Sequence, residues 1–260
     1  ARGLRTGRVI WRLDLARSSR GQVDLLMGAP VIGADGTVYV YVNVHRGAGA
    51  RGELVAVRRD GSRAWGFASP DSDFDVRFIY VHSRDWYLGI DEPRDVIEAM
   101  LPGDLDLSGW DLRKTLRLFL RCNVALNEWL GSPIVYAERG DLASQLRDLM
   151  PAAFRAPAGY HHYLRMARGV YETHVASDPV RLKKVFYVLR PLLACRWIVH
   201  TGAQPPTEFD RLASADWVSL DERTMIARLT EAKADASESH RTPLDPSTRE
   251  WFEQELAAAE

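Results

Sequence analysis

The chain has 260 residues, 46% hydrophobic and 27% charged, the make-up of an ordinary globular protein with a sizeable core and not of a disordered or fibrous chain. A formal net charge of −1 excludes a global positive field drawing nucleic acid to the whole surface, so a polyanion would have to be met by a local basic face. The two cysteines, Cys122 and Cys195, have no metal-ligand spacing, no apolar run is long enough to span a bilayer and the start has no signal-peptide pattern; a reducing cytoplasm is the expected compartment, and an initial Ala is consistent with a piece of a longer reading frame.

Residues 1–52 predict a β-rich extension. Val9-Ile10-Trp11, then Val31-Ile32 and Val38-Tyr39-Val40 around Asp35-Gly36, are short β-branched runs broken by tight-turn residues. Together with Leu54-Val55-Ala56-Val57 and Asp60-Gly61-Ser62-Arg63-Ala64-Trp65, this wording resembles one blade of a quinoprotein-type (PQQ-like) β-propeller. One blade cannot close a ring, because repeat units bury their faces only against stacked neighbours.

The next stretch carries the chemistry. An apolar run leads into Gly61-Ser62, a small-residue segment follows, and Asp71, Asp73 and Asp75 alternate before the apolar Val76-Arg77-Phe78-Ile79-Tyr80. Glycine lets backbone N–H groups approach an anion closely. Alternate residues of a strand share a face, so Asp73 and Asp75 are expected about 6–7 Å apart at Cα and able to converge on metal ions. Oxygen-only ligands suit Mg2+ or Mn2+. A calcium loop starting at Asp71 fails, because its sixth and twelfth positions are Val76 and His82.

Gly61-Ser62 followed by Asp73-Phe74-Asp75 resembles the active-site signature of polymerase-β-type nucleotidyltransferases. The longer wording, GSRAWGFASPDSDFDVRFIYV at 61–81, LDLSGWDLRKTLRLFLRCNVALNEWLGSPIVY at 105–136 and VRLKKVFYVLRPLLACRWI at 180–198, resembles the YcgL/RlaP-type predicted nucleotidyltransferases, over about residues 53–255. The resemblance implies an α+β fold with a mixed sheet, Mg2+ or Mn2+, and a nucleoside triphosphate, ATP by preference, as substrate. It implies that Gly61 and Ser62 hold the triphosphate, with Arg63 and Arg77 as further phosphate contacts, and that Asp73 and Asp75 bind metal. Arg77 shares the aspartates' face and reads equally as the ion-pair partner that orders them. A third carboxylate on a later strand, in apolar-acid-apolar wording, is implied at Asp106, with Asp95, Asp104 and Asp111 as competitors. RNA, or an RNA ligase as partner, fits the family's setting. A helix expected before the first strand does not show in this sequence, and the two resemblances overlap at residues 61–65.

Further along, residues 85–94 read as a connection and 95–98 as a short strand, ended by Leu101-Pro102-Gly103. Ser108 reads as the N-cap of a helix whose stripe is Leu112, Leu116, Phe119 and Leu120 and whose basic face is Arg113, Arg117 and Arg121. Helices follow from Asn123, from Asp141 and from Tyr160, where adjacent histidines point to different sides and make no metal pair. Leu182, Phe186, Leu189 and Leu193 form the buried stripe of the next helix, and Lys183, Tyr187 and Arg190 fall on another side at helical spacing, where they would meet a nucleotide's phosphates and its base or sugar if that side faces the cleft. Pro191 predicts a kink or a new start. Residues 234–246 are polar, and Trp251, Phe252 and Leu256 predict a final docked helix. The expected division is an N-terminal segment at 1–52, a nucleotidyltransferase core at 53–138 and a helical accessory domain at 139–260. The expected function is metal-dependent transfer of a nucleoside monophosphate to an acceptor hydroxyl. A nucleotide- or RNA-binding accessory protein is the alternative.

Overall fold

A computed structural model describes the backbone of residues 12–13, 24–32, 38–46 and 50–60, and residues 64–67, 74–82, 84–91, 94–101, 105–234 and 240–259. Gly61, Ser62, Arg63, Asp73 and Asp104 lie outside the described residues.

Strands and helices fall into two compact units. The first takes residues 1–59, 75–118 and 134–146. Its first strands are β1 (Arg12–Leu13), β2 (Asp24–Ile32), β3 (Val38–Arg46) and β4 (Ala50–Asp60), successive antiparallel neighbours, with the β-branched Val31-Ile32 and Val38-Tyr39-Val40 runs in β2 and β3. β5 (Phe74–Val81), β6 (Val96–Leu101) and β7 (Leu105–Asp111) continue the sheet in the order β1-β2-β3-β4-β5-β7-β6, and β8 (Val135–Glu138) pairs antiparallel with β4. The chain is therefore α+β, with the expected aspartate strand in the interior of the sheet.

Alternation sets the faces of that strand. Val76, Phe78 and Tyr80 are buried, and Asp75 and Arg77 point the other way. On β7, Leu107, Gly109 and Asp111 are buried and Asp106 and Ser108 alternate with them. Gly109 is required by packing: a Cβ there would lie 2.1 Å from Cε2 of Phe78.

Two expectations are corrected here. Residues 108–110 do not start a helix, because Ser108, Gly109 and Trp110 pair with Glu98, Ile97 and Val96 of β6, and the strand runs on to Asp111. Helix α2 (Leu112–Leu120) follows α1 (Arg84–Leu88), and the acceptor at its start is Asp111, whose Oδ1 takes the Arg113 N–H at 2.7 Å. Starting directly off the strand shifts the buried stripe to Thr115 and Phe119 and leaves Leu116 and Leu120 exposed. Arg113 is drawn inward, donating to the Tyr87 carbonyl at 2.8 Å.

The second unit takes residues 60–74, 119–133 and 147–260. It holds α3 (Val124–Gly131), capped by Asn123, and α5 (Ala156–His174), with α4 (Leu142–Ala153) running from one unit into the other. β9 (Val180–Arg181) leads into α6 (Leu182–Thr201), which is continuous through Pro191 instead of kinked into two helices. α7 (Phe209–Ala213), α8 (Leu220–Ala234), β10 (Arg241–Thr242) and α9 (Pro246–Ala258) complete it. The expected stripe of α6 is buried, and Phe252 and Leu256 dock α9 as predicted. The units do not divide at 138/139. The segment after Gly61 joins the helical core because Phe67 packs on Phe186 and Phe209 at centroid distances of 4.9 and 5.5 Å. Among the described residues, no helix is long and apolar enough to cross a membrane.

Candidate active site

Three of the residues singled out in the sequence meet on one sheet face. Asp75 and Arg77 stand two apart on β5, and Asp106 stands on β7, its neighbour in the sheet. Arg77 Nη2 donates to Asp75 Oδ1 and to Asp106 Oδ2, each at 2.8 Å, and Nη1 reaches the Asp106 carbonyl at 3.3 Å. One nitrogen thus holds both carboxylates. Their side chains are 23% and 33% exposed and that of Arg77 14%, so the cluster is partly desolvated and still open to solvent. Such charge-assisted pairs are stronger than surface ion pairs because less water competes.

Arg77 and Asp106 line a cavity of about 370 Å³ together with Glu98, Met100 and Ser108. The cross-strand register explains the grouping: Met100 lies opposite Asp106 and Glu98 opposite Ser108. Glu98 and Ser108 were missed in the sequence. The available signal was Glu98 itself, an acid inside the otherwise apolar Val96–Leu101 run.

Two of the competitors for the third carboxylate, Asp111 and Asp95, are committed elsewhere, and Asp104 lies outside the described residues. Asp111 is fully buried and accepts from the Tyr87 hydroxyl at 2.5 Å and from the first turn of α2. Burial, then the hydrogen bond to Asp111, raises the Tyr87 phenol well above its ordinary range and keeps it a donor at neutral pH. Asp95 pairs with Lys114 at 3.1 Å.

Carboxylate oxygens are the donor set that suits Mg2+ or Mn2+. Asp75 and Asp106 share the Arg77 guanidinium, and Glu98, which lines the cavity beside Asp106, pairs with Arg94 at 2.7 Å. Among the described residues no three His, Cys, Asp or Glu converge as a ligand group, and Asp73 is not among them.

The remaining expected contacts belong to the helical unit. Lys183 is half-buried, and Tyr187 sets its ring edge-on to Trp65 at 5.3 Å. Arg190 corrects the expectation of an outward cation: it is 1% exposed, its Nη1 donates to Glu128 Oε1 at 2.8 Å, and its guanidinium lies 4.6 Å from the Trp65 ring. No face of it is available to a phosphate. It fell inside because α6 is buried nearly all round and has no single outward side.

The profile of a family described as "RNA repair pathway DNA polymerase beta family" matches residues 54–260. An uncharacterized protein, YcgL, of Bacillus subtilis (strain 168) is 52% identical over 157 residues, which is 60% of this chain and 60% of that protein. The chain therefore spans about 60% of that relative's length. The crystal structure of a nucleotidyltransferase-like protein from Exiguobacterium sibiricum 255-15 aligns over 70% of each chain at 13% identity, with a TM-score of 0.27.

Proposed function

The chain belongs to the RNA repair pathway DNA polymerase beta family, and from that premise we propose that it is a metal-dependent nucleotidyltransferase that moves a nucleoside monophosphate from a nucleoside triphosphate, ATP by preference, to an acceptor hydroxyl of RNA. The observation that carries this reading is the pair Asp75 and Asp106, brought from neighbouring strands onto a single nitrogen of Arg77.

Asp75 and Asp106, with Asp73, would hold Mg2+ or Mn2+. Bound there, the cation would neutralise the triphosphate and favour ionisation of the acceptor hydroxyl. The protein's own residues position the reaction. Arg77 fixes both carboxylates, and Gly61, Ser62 and Arg63 would cradle the triphosphate, with Lys183 and Tyr187 as further contacts. The acceptor oxygen attacks the α-phosphorus in line, its proton passes to Asp106, the bond from the α-phosphorus to the bridging oxygen breaks, and pyrophosphate leaves. Positioning and charge neutralisation supply most of the acceleration. Two buried thiols without a disulfide, Cys122 and Cys195, suit a reducing cytoplasm. An RNA ligase is the partner we propose.

One observation favours a second reading. Arg77 already neutralises part of the charge on both carboxylates, as it would in a binding protein without turnover. Transfer of label from α-labelled ATP to total RNA, with Mg2+ or Mn2+, separates the two. Label is expected with the native chain and a loss of at least about a hundredfold with Asp75→Ala or Asp106→Ala. Undiminished label in either variant overturns the site, and no label from a folded native chain that binds ATP moves the function to the second reading.

A further inference from the structure

The helical unit carries a concentration of positive charge that the transfer mechanism does not use. β9 and β10 form a two-stranded antiparallel ribbon in which Arg181 and Arg241 are direct cross-strand partners. Residues so placed share a face with their Cβ atoms about 4.5–5.5 Å apart, and like charges there destabilise the pair. Both arginines are exposed, and neither has an ion pair among the described residues. Both line a cavity of about 330 Å³, joined by Lys184 from the first turn of α6 and by His174 and Ser177. The one acid among the described lining residues is committed: Asp178 Oδ1 accepts from Arg249 Nη2 at 2.8 Å and from the Leu244 N–H at 2.9 Å. Three cations therefore face one space, with Lys184 Nζ also 5.3 Å from the centre of the Tyr187 ring, and the one carboxylate among the described lining residues is already neutralised by Arg249.

We propose that this cavity is a phosphate-binding site, in which Arg181 and Arg241 clasp one phosphate group between them and Lys184 balances its remaining charge. The planar guanidinium fork matches the oxygens of a phosphate two at a time. An anion held between the arginines also removes the repulsion that the ribbon otherwise carries. The space has the size of the smaller ligand sites, enough for a phosphate and its sugar. Among the described residues no Phe, Tyr or Trp lines it, and its one ring is the His174 imidazole, a smaller stacking surface than those side chains offer. Recognition runs through charge, and the identity of the base does not matter. The phosphate would come from a free nucleotide or from a polynucleotide chain.

The test is binding by the full chain in EDTA, so that it does not depend on turnover and its failure leaves the transferase reading untouched. The probes are inorganic phosphate, AMP, CMP and a 5′-phosphorylated ribo-oligonucleotide of mixed sequence, read by melting temperature and by fluorescence anisotropy. The native chain should be stabilised by phosphate and should bind AMP and CMP alike. Arg181→Gln/Arg241→Gln should weaken binding by about tenfold or more, with a ligand-free melting temperature no lower than native, and Arg181→Lys/Arg241→Lys should retain part of the affinity. Oligonucleotide affinity at least about tenfold above that of AMP assigns the site to a polynucleotide, and equal affinity assigns it to a free nucleotide. Binding unchanged in the glutamine variant, or a native chain indifferent to every probe, overturns the proposal. Should the double variant not fold, Arg241→Gln alone carries the same two readings, since it alters one exposed side chain of the ribbon.

Discussion

Gly109 shows how one residue connects packing to the site. It sits on β7 between Ser108, which lines the candidate cavity, and Trp110, and its missing side chain is what allows the buried Phe78 of β5 to lie against the strand. β5 and β7 are the strands that bring Asp75 and Asp106 together, so the spacing at Gly109 supports the carboxylate pair from behind. Gly109→Ala puts a methyl group 2.1 Å from an aromatic carbon and must displace the ring or the strand. The expected cost is about 1–3 kcal/mol of unfolding free energy, measured by urea titration, with partial recovery when Phe78→Leu is added. Additive effects of the two substitutions would show that the contact is not what requires glycine. None of this was visible in the sequence, where Gly109 read as part of a helix start. The alternation of Asp75 and Arg77 with Val76 and Phe78 was visible, because a period of two is a local property of a strand. The partnership of Asp75 with Asp106 depends on which strands become neighbours, and it was inferred from resemblance and not from spacing.

At the scale of elements, α6 organises the helical unit, and its apolar stripe was legible because four leucine and phenylalanine positions repeat at helical spacing. Its polar residues were not. Arg190 lies at 1% exposure among Glu128 of α3, Trp65 and the Thr207 carbonyl, and Tyr163 of α5 donates to the same Glu128 Oε1 at 2.8 Å. Burial and then the Glu128 charge push the Tyr163 phenol well above its ordinary range, so it remains a donor and helps to satisfy the carboxylate. A buried charge of this kind is tolerable only while its partner is present. Arg190→Met leaves Glu128 uncompensated and should cost about 3–5 kcal/mol, whereas Arg190→Met combined with Glu128→Gln should cost less than the single substitution. Both are read from urea midpoints. A double variant worse than Arg190→Met would show that the arginine works through its contacts with Trp65 and Thr207 and not by balancing Glu128.

For the whole molecule, the order of the chain and the order of packing differ. The sequence suggested a catalytic core followed by a helical domain from residue 139, since the wording changes there from strands to helices. Composition changes along a chain mark where elements alter, and they carry no information on which distant segments share a core. The helical unit draws in residues 60–74 and 119–133 from before that boundary. Those segments bring Phe67, whose ring packs on Phe186 and Phe209, and Glu128, the counter-charge of Arg190. A fragment of residues 139–260 keeps every long helix of this unit and loses both. It would expose the faces of Phe186 and Phe209 and retain a buried arginine without its carboxylate, a combination that helix propensity cannot offset. The fragment should therefore show helical far-UV circular dichroism without a cooperative thermal transition in the near-UV, while the full chain melts cooperatively. Restoring residues 119–133 through a linker should recover part of the transition, because Glu128 returns with them. A sharp melt of the bare fragment at the full chain's temperature would mean that the helical unit is self-sufficient, and that the early segments are guests on a core that does not need them.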